Sequence, residues 1–277
     1  MKSIILFLIT LVPIICFAQD TTDFERRINE LHWIQGPATG KIGEKATIFI
    51  PAGYQFLGEQ DAKEFLKISG NIPEDGNYLL APNSLSWWSV FRFSETGYIK
   101  DDEKIDANDL LNKLKSQDQD SNQQRKNMGL QLFYTDGWQL APHYDSVNNR
   151  LEWAIRLRDE NYHTNINYTT RLLGRSGVIS AILVGDTDTL ENDTREFKKI
   201  LRNFNYVSGE TYAEYKPGDH VAEIGLSALI LGGAAAVAAK KGFFGIIAGF
   251  LAATWKFILG GIAALWAAIK RLFSRKE

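Results

Sequence analysis

The chain has 277 residues, and its net charge of −2 conceals a split between an acidic body and a basic end. Residues 19–220 hold 23 basic and 31 acidic side chains, whereas residues 221–277 hold seven basic and two acidic ones. The net charge of −8 on the larger part argues against nucleic-acid binding, because phosphate neutralisation needs clustered Lys and Arg. Cys16 is the only cysteine. Its loss with a cleaved leader would exclude disulfides, thiolate zinc sites and cysteine nucleophiles.

The first 18 residues have the pattern of a secretory signal peptide. Lys2 supplies the positive charge, an apolar core follows, and Ala18 places a small residue at the cleavage position. The alternative is an N-terminal membrane anchor, but about 14 apolar residues interrupted by Pro13 fall short of the ~20 that span a bilayer. We therefore predict cleavage after Ala18, and the bulky residue before Cys16 disfavours lipidation there.

The segment 19–220 is long enough for one sizeable domain or two small ones, and we predict one. Its first half is predicted to contain a helix over 22–33, a strand over 45–57 broken at 51–53, a short helix over 61–68, and strands over 77–81 and 87–100. Asp106 then caps a helix whose apolar stripe lies over 110–114. The polar stretch 115–127 that follows is predicted to project into solvent or to fray.

The second half of this domain has the clearest strand pattern. Strands are predicted over 129–160 with breaks at 136–137 and 147–149, over 163–173 and over 177–184, followed by a helix over 190–203. The odd-numbered residues from Leu151 to Leu157 are all apolar, which is the cleanest period-two pattern in the chain. The turn 174–177 joins two of the strands, with glycine predicted to supply positive φ. Consecutive strands with short turns predict an α+β fold in which helices pack on an antiparallel sheet.

No residue pattern in the domain identifies a reaction. The carboxylates at 101–103 and Asp106 match no calcium-loop spacing, so a solvated turn with a helix cap is the preferred interpretation. The four histidines are His32, His143, His163 and His220. They lack zinc-ligand spacing, and a His143–Asp145 pair has no serine in a nucleophile elbow to activate. Phosphate and dinucleotide motifs are also missing from the sequence, so we predict no cofactor, no metal and no catalytic residue.

Tryptophans at 87–88, 138 and 153 are the main candidates for lining a ligand groove. Because they lie on predicted alternating strands, core packing is the preferred interpretation.

Five blocks of the chain, in order, resemble one protein family. They are WIQGPATGKIGEKATIFIPAGYQFL (33–57), GYIKDDEKIDANDLLNKLK (97–115), GWQLAPHYDSVNNRLEWAIRL (137–157), NYTTRLLGRSGVISAILV (167–184) and DHVAEIGLSALILGG (219–233). These blocks resemble the domain-of-unknown-function 2167 family of bacterial, membrane-anchored proteins over about residues 30–240. The family has no established activity, so the resemblance carries over no catalytic residue. It implies a bacterial envelope protein whose domain lies outside the cytoplasm.

The last 57 residues form an almost uninterrupted apolar block. It is predicted to comprise a first transmembrane segment over 221–239, the pair Lys240-Lys241, a second membrane-embedded helix over 242–269 and a basic tail over 270–277. Two topologies stay open. If only the first segment crosses, the lysine pair is cytoplasmic, as the positive-inside tendency prefers. If the second segment crosses back, Lys256 lies near mid-membrane at a cost of about 2.5 kcal/mol or more.

The expected partners follow from these segments. The basic tail suits anionic lipids, and Gly245 with Gly249 has the spacing that allows homo-oligomers through close helix contacts. We predict a protein of the cytoplasmic membrane whose extracytoplasmic domain binds a protein or envelope component, and which is not an enzyme. The alternative is a membrane-tethered hydrolase acting on an envelope substrate, with a groove lined by the tryptophans and the 101–106 carboxylates.

Overall fold

An eight-stranded antiparallel sheet lies at the centre of the computed structural model, which describes residues 21–232. In chain order the elements are α1 (Thr21–Asn29), β1 (Ile34–Gln35), β2 (Ala38–Ile42), β3 (Ala46–Ile50), β4 (Tyr54–Leu57), α2 (Glu59–Ile68), β5 (Asn77–Pro82), β6 (Trp87–Ser94), α3 (Ala107–Asn127), β7 (Phe133–Asp145), β8 (Arg150–Asp159), β9 (Thr164–Leu173), β10 (Val178–Gly185), α4 (Leu190–Leu201), β11 (Phe204–Tyr206) and α5 (Leu226–Ile230). The large sheet has the order β1-β4-β5-β6-β10-β9-β8-β7, and a second sheet has the order β11-β3-β2. The α+β class with an antiparallel sheet is confirmed.

The two faces of the large sheet are covered differently. On one face, which we call the sandwich face, Phe91 shares a core with Ile48 of the small sheet and Phe197 of α4. The opposite face, which we call the helix face, carries two separate clusters. One contains Trp88 and lies with α1 and α2, and the other contains Trp153 and lies with α3 and α5. Because strand residues alternate between faces, each central strand contributes to both cores.

The alternating pattern predicted for β8 is confirmed for its apolar residues. Leu151, Trp153, Ile155 and Leu157 are each at most 5% exposed. The predicted break at 51–53 is also confirmed, but it separates strands of different sheets, since β3 belongs to the small sheet and β4 to the large one. This assignment depends on partners distant in sequence, so local periodicity does not specify it.

Two predicted element ends are wrong. The first helix ends at Asn29 instead of continuing to Trp33, whose ring packs 6.0 Å from that of Phe65 and whose Nε1 donates to the Ile28 carbonyl at 2.9 Å. The strand predicted over 87–100 ends at Ser94. Gly97 follows with a φ of +89°, a left-handed conformation that glycine adopts readily and that does not continue a strand.

The polar half of α3 neither frays nor projects into solvent, contrary to the prediction. Asn122 is 8% exposed and exchanges two hydrogen bonds with the Phe133 backbone, at 2.8 and 2.9 Å. Asp118 accepts hydrogen bonds from the backbone and side chain of Thr135. Since β7 is the last strand of the sheet, these side chains satisfy groups that an edge strand otherwise presents to solvent. The helix is therefore stabilised by polar contacts that a hydrophobic pattern does not show.

The predicted turns at 147–149 and 174–177 are present, whereas the predicted break at 136–137 is wrong. At 136–137 the strand continues through a β-bulge, marked by the register shift between Thr135 and Gly137. The 174–177 turn joins β9 and β10 as predicted, yet neither of its glycines has positive φ. A Cβ on Gly177 would lie 2.2 Å from the Ser94 carbonyl oxygen, so close backbone approach requires glycine there.

The first part of the predicted 221–239 segment packs on the domain. Val221 forms a parallel bridge with Tyr98, and α5 buries Leu226, Leu229 and Ile230 in the cluster that contains Trp153. Across residues 21–232, the structure has no helix of the length and apolarity that a membrane crossing needs. The predicted signal peptide, residues 233–239 and the segments 242–269 and 270–277 lie outside the described residues.

Candidate functional site

The carboxylates at 101–106 take part in structural contacts. Asp101 accepts a hydrogen bond from the Tyr144 hydroxyl at 3.0 Å, and Glu103 accepts one from the Ser227 backbone at 3.0 Å. Asp106 accepts from the first backbone N–H groups of α3, which confirms the predicted cap. Within residues 21–232, His, Cys, Asp and Glu side chains nowhere form a group of three or more suited to a metal ion.

The four tryptophans do not share one groove, although Trp87 and Trp88 both line a cavity near the start of β6. Trp87 is 1% exposed on the sandwich face, and Trp88 is 2% exposed on the helix face under α1 and α2. Trp153 belongs to the other helix-face cluster, and Trp138 donates from its indole to the Ala107 carbonyl at 2.9 Å. The groove of the hydrolase alternative, which needs these rings beside the 101–106 carboxylates, is therefore not assembled.

The histidines are dispersed, each with a different neighbour. His32 lies 3.3 Å from Asp61, and His163 lies 3.0 Å from Asp159. His143 lies across the strands from Glu152, at 3.6 Å, and not in a pair with Asp145 that faces a serine. The fourth histidine, His220, accepts a hydrogen bond at its backbone carbonyl from the Tyr98 backbone N–H.

Ser176, in the 174–177 turn, belongs to an ion-pair network. Its hydroxyl donates to Glu210 and accepts from Lys45 at 3.1 Å, while Lys45 and Glu210 lie 2.5 Å apart. Burial raises the pKa of Glu210, but the hydrogen bonds from Lys45 and Ser176 outweigh burial and hold that pKa below its usual range. An ionised carboxylate of low pKa is a weak base near neutral pH, so the arrangement holds the turn in place and does not activate the serine.

The strongest candidate site is a cavity of about 400 Å³ on the sandwich face, which we call the Tyr168 cavity. Across the strands, Leu140 of β7, Ala154 of β8 and Tyr168 of β9 lie in one row and form its floor. Lys198 of α4 and Thr187 of the β10–α4 loop line the side. The α4 helix reaches this position because Phe197 anchors it in the sandwich-face core.

Beside the Tyr168 cavity, the half-exposed Lys198 pairs with a buried carboxylate, and Tyr168 contributes a buried hydroxyl. Glu152 is 6% exposed, and its Oε2 lies 2.8 Å from Lys198 Nζ. Lys198 Nζ also lies 5.3 Å from the centre of the Tyr168 ring. Burial, and then the charge of Glu152, raise the pKa of Tyr168, so the phenol is neutral and able to donate. Its Oη is buried and makes no hydrogen bond of normal geometry among the described residues, although Glu152 and Thr170 are near enough to shift its pKa.

A second cavity of about 350 Å³ lies on the helix face, and we call it the Asn165 cavity. Trp88 and Val184, which pair across β6 and β10, form its apolar side. Asn165 of β9 is 5% exposed and lines the cavity, and its Nδ2 is buried without a hydrogen-bond partner among the described residues. Thr187 lines this cavity as well as the Tyr168 cavity.

The β10–α4 loop, residues 186–189, therefore lies between two cavities on opposite faces of the sheet. Thr187 is exposed, and its hydroxyl donates to the Thr164 carbonyl at 3.1 Å. Each cavity is lined by a residue with one buried polar atom that makes no hydrogen bond within residues 21–232, and such atoms are uncommon in folded proteins. This arrangement can accept a ligand that supplies hydrogen bonds to both.

Sequence reasoning missed these residues. It gave no role to Glu152, Asn165, Tyr168 or Lys198. One signal was available, because β9 carries polar residues at 165, 167 and 169 on a single face of a strand flanked by apolar strands. Polar side chains at such positions need partners, which makes them candidates for a site.

The comparisons with known proteins show a family and a weak similarity to a solved structure. A family model described as protein of unknown function (DUF2167) matches residues 34–265. No curated protein matches the chain. The solution structure of cyanobacterial PsbP (CyanoP) from Synechocystis sp. PCC 6803 is similar over 63% of this chain and 91% of that chain, with 10% sequence identity and a TM-score of 0.37.

Proposed function

This chain belongs to the DUF2167 family, whose function is unknown, and from its own residues we propose a binding role in the bacterial envelope. In this proposal the C-terminal apolar block anchors the chain in the cytoplasmic membrane, and the α+β domain lies outside the cytoplasm. The domain binds an envelope component at the two cavities that flank Thr187. The signal-like N-terminus and the apolar C-terminal block support the location.

One observation carries the binding role. Tyr168 Oη and Asn165 Nδ2 are both buried and make no hydrogen bond within residues 21–232, and each of these two residues lines a cavity that Thr187 also lines. Leaving such groups unpaired costs about 1–3 kcal/mol each, which a bound ligand would recover. Both atoms donate hydrogen bonds, so the ligand must offer acceptors at both positions.

The other residues that line the Tyr168 cavity restrict the kind of ligand that it can bind. Lys198 supplies a further donor, and Asp188 and Glu191 supply acceptors at the Tyr168 cavity. Hydroxyl and amide groups satisfy such a mixed set better than a purely apolar or a multiply charged ligand does. We therefore propose a hydroxyl- and amide-bearing envelope component, of the kind found in cell-wall glycans and peptides, as the ligand.

Site-specific crosslinking tests the binding role in intact cells. We expect a photoreactive amino acid at position 187 of the full chain to give a specific crosslinked product on irradiation. The matched control is position 147, since Val147 is 86% exposed in the β7–β8 turn and lines neither cavity. The Tyr168→Phe change removes only the hydroxyl, and we expect it to lower the yield at 187 by roughly five- to tenfold. Mass spectrometry of the product identifies the component.

The control outcomes decide the interpretation of that experiment. Equal products at 187 and 147 would indicate non-specific proximity and contradict a site at the loop. An unchanged yield in the Tyr168→Phe variant would mean that the hydroxyl takes no part in binding.

The location is tested separately with cysteine labelling. After cleavage at Ala18 the chain has no cysteine, so a Val147→Cys variant carries a single exposed thiol. We expect a membrane-impermeant maleimide to label it in cells whose cytoplasmic membrane is intact. Labelling only after lysis would contradict an extracytoplasmic domain. A cysteine added after Glu277 counts the crossings, because labelling without lysis indicates two crossings and labelling only after lysis indicates one.

A further inference from the structure

A row of cationic and hydroxyl side chains crosses the centre of the helix face. Arg92 of β6 pairs with Ser180 of β10, and Ser180 pairs with Arg171 of β9. Directly paired residues point to the same side of a sheet. Ser180 lies between Val178 and Ile182, which belong to the two different helix-face clusters. The row therefore occupies the boundary between those clusters, away from both cavities that flank Thr187.

Arg171 has no counter-charge in this row. Its guanidinium donates to Ser180 Oγ and to the Leu229 carbonyl at 3.5 Å, and it lies 5.4 Å from the Trp153 ring. Its Nε is buried and has no hydrogen-bond partner among the described residues. Among the ion pairs formed within residues 21–232, none includes Arg171. The neighbouring Arg92 has the same sign of charge and disfavours the charged form of Arg171.

The local charge is therefore positive. Arg92 pairs with Glu74, so two guanidinium groups share one carboxylate. Burial, and then the charge of Arg92, lower the pKa of Arg171 to about 10, so it stays charged at neutral pH. Holding a guanidinium without a counter-charge in a partly buried position is unfavourable, because burial removes the water that would solvate its charge. A bound anion is the usual way to offset that cost, because the planar fork of arginine matches an oxyanion.

We propose that Arg171, Arg92 and Ser180 bind a phosphate group. Two guanidinium groups and a hydroxyl offer more donors than a single carboxylate can accept, and a phosphate has the oxygens to accept from all three. Ser180 Oγ accepts from Arg171, which leaves its own hydrogen free to donate to the ligand. Arg92 is 29% exposed and Arg171 is partly exposed, so a ligand can reach the row.

Phosphate of this kind comes from an anionic lipid headgroup or from solution. Leu229, whose carbonyl accepts from Arg171, lies on α5 near the end of the described residues, and the apolar block that the sequence predicts to enter the membrane continues after it. A headgroup is therefore the source within reach, and this part of the proposal rests on the membrane anchoring proposed above. Binding of free phosphate does not depend on the anchoring.

The test uses the full chain in lipid nanodiscs and follows the urea midpoint of unfolding by tryptophan fluorescence. One arm compares phosphatidylcholine with a mixture containing phosphatidylglycerol, and the other adds inorganic phosphate against chloride at equal ionic strength. The key variant is Arg171→Gln. The control is Arg195→Gln, which removes the same charge from a position on α4 that is 60% exposed.

We expect phosphatidylglycerol to raise the midpoint of the wild type and of Arg195→Gln but not of Arg171→Gln. A response to inorganic phosphate but not to phosphatidylglycerol supports the site and indicates that its phosphate ligand comes from solution. The Ser180→Ala variant keeps both arginines, and we expect it to need roughly tenfold more phosphate or phosphatidylglycerol for half of the midpoint shift. It tests the site separately from any misfolding of the Arg171→Gln variant. No wild-type response in either arm, or equal responses in the Arg171→Gln and Arg195→Gln variants, would overturn the proposal.

Discussion

We expect the Phe197→Ala variant to lose about 4 kcal/mol of unfolding free energy, because truncating a fully buried phenylalanine removes apolar contacts and leaves a cavity. Phe197 is 0% exposed, and its ring lies 6.0 Å from that of Trp87, 6.1 Å from that of Phe91 and 6.4 Å from that of Tyr168. It is the residue that fixes α4 on the sandwich face. Urea unfolding of the full chain, followed by tryptophan fluorescence, measures the loss.

The Phe49→Ala variant is the matched control for Phe197→Ala. Phe49 lies on β3 of the small sheet and is 44% exposed, so its truncation should change the unfolding free energy by no more than about 0.5 kcal/mol. Similar losses in the two variants would contradict the packing described for α4. Because Lys198 follows Phe197 directly, we also expect the Phe197→Ala variant to loosen the wall of the Tyr168 cavity.

The second large effect is expected at Asp159, where the Asp159→Ala variant should lose about 3 kcal/mol. The Asp159 side chain is 0% exposed and accepts hydrogen bonds from the backbones of Asn161 and His163, each at 2.8 Å, and from Gln131 at 2.7 Å. Alanine would leave these donors without an acceptor in the β8–β9 turn. Because His163, Thr164 and Asn165 follow this turn and line the Asn165 cavity, the cavity should be disturbed too.

The same substitution has a predicted pH dependence. Burial raises the pKa of Asp159, but the hydrogen bonds from the His163 side chain and from backbone N–H groups outweigh burial, so its pKa lies below the ordinary 3.8. A carboxyl group with a lower pKa in the folded state contributes stability above its unfolded pKa. That contribution is lost as the pH falls through the folded pKa. The stability difference between wild type and Asp159→Ala should therefore shrink as the pH falls below 3.8.

The Asp145→Ala variant is the control for this position. Asp145 also accepts backbone hydrogen bonds in a turn, from Val147 at 3.0 Å and Asn148 at 3.3 Å, but the turn is open to solvent. Water replaces the lost acceptor there, so we expect a loss of about 1 kcal/mol or less. Equal losses of unfolding free energy in the Asp145→Ala and Asp159→Ala variants would mean that burial of the Asp159 turn does not add to stability.

The sequence by itself determined the fold class and most of the elements, because both depend on local periodicity. The apolar alternation from Leu151 to Leu157, the Asp106 cap and the turn at 174–177 are each encoded within a few residues, and the structure contains all three. The family was also available from the sequence, since the resembling blocks run through most of the chain, and the match over residues 34–265 confirms it.

Only the tertiary structure decided which polar residues meet. Asn122 reaches the edge strand β7, Glu152 is buried against Lys198, and Arg171 lies beside Arg92 without a counter-charge. Each of these contacts joins residues that are far apart in the chain or lie on separate strands, so no spacing in the sequence predicts it. The cavities on either side of Thr187 form for the same reason, because their walls come from strands that become neighbours only in the folded sheet.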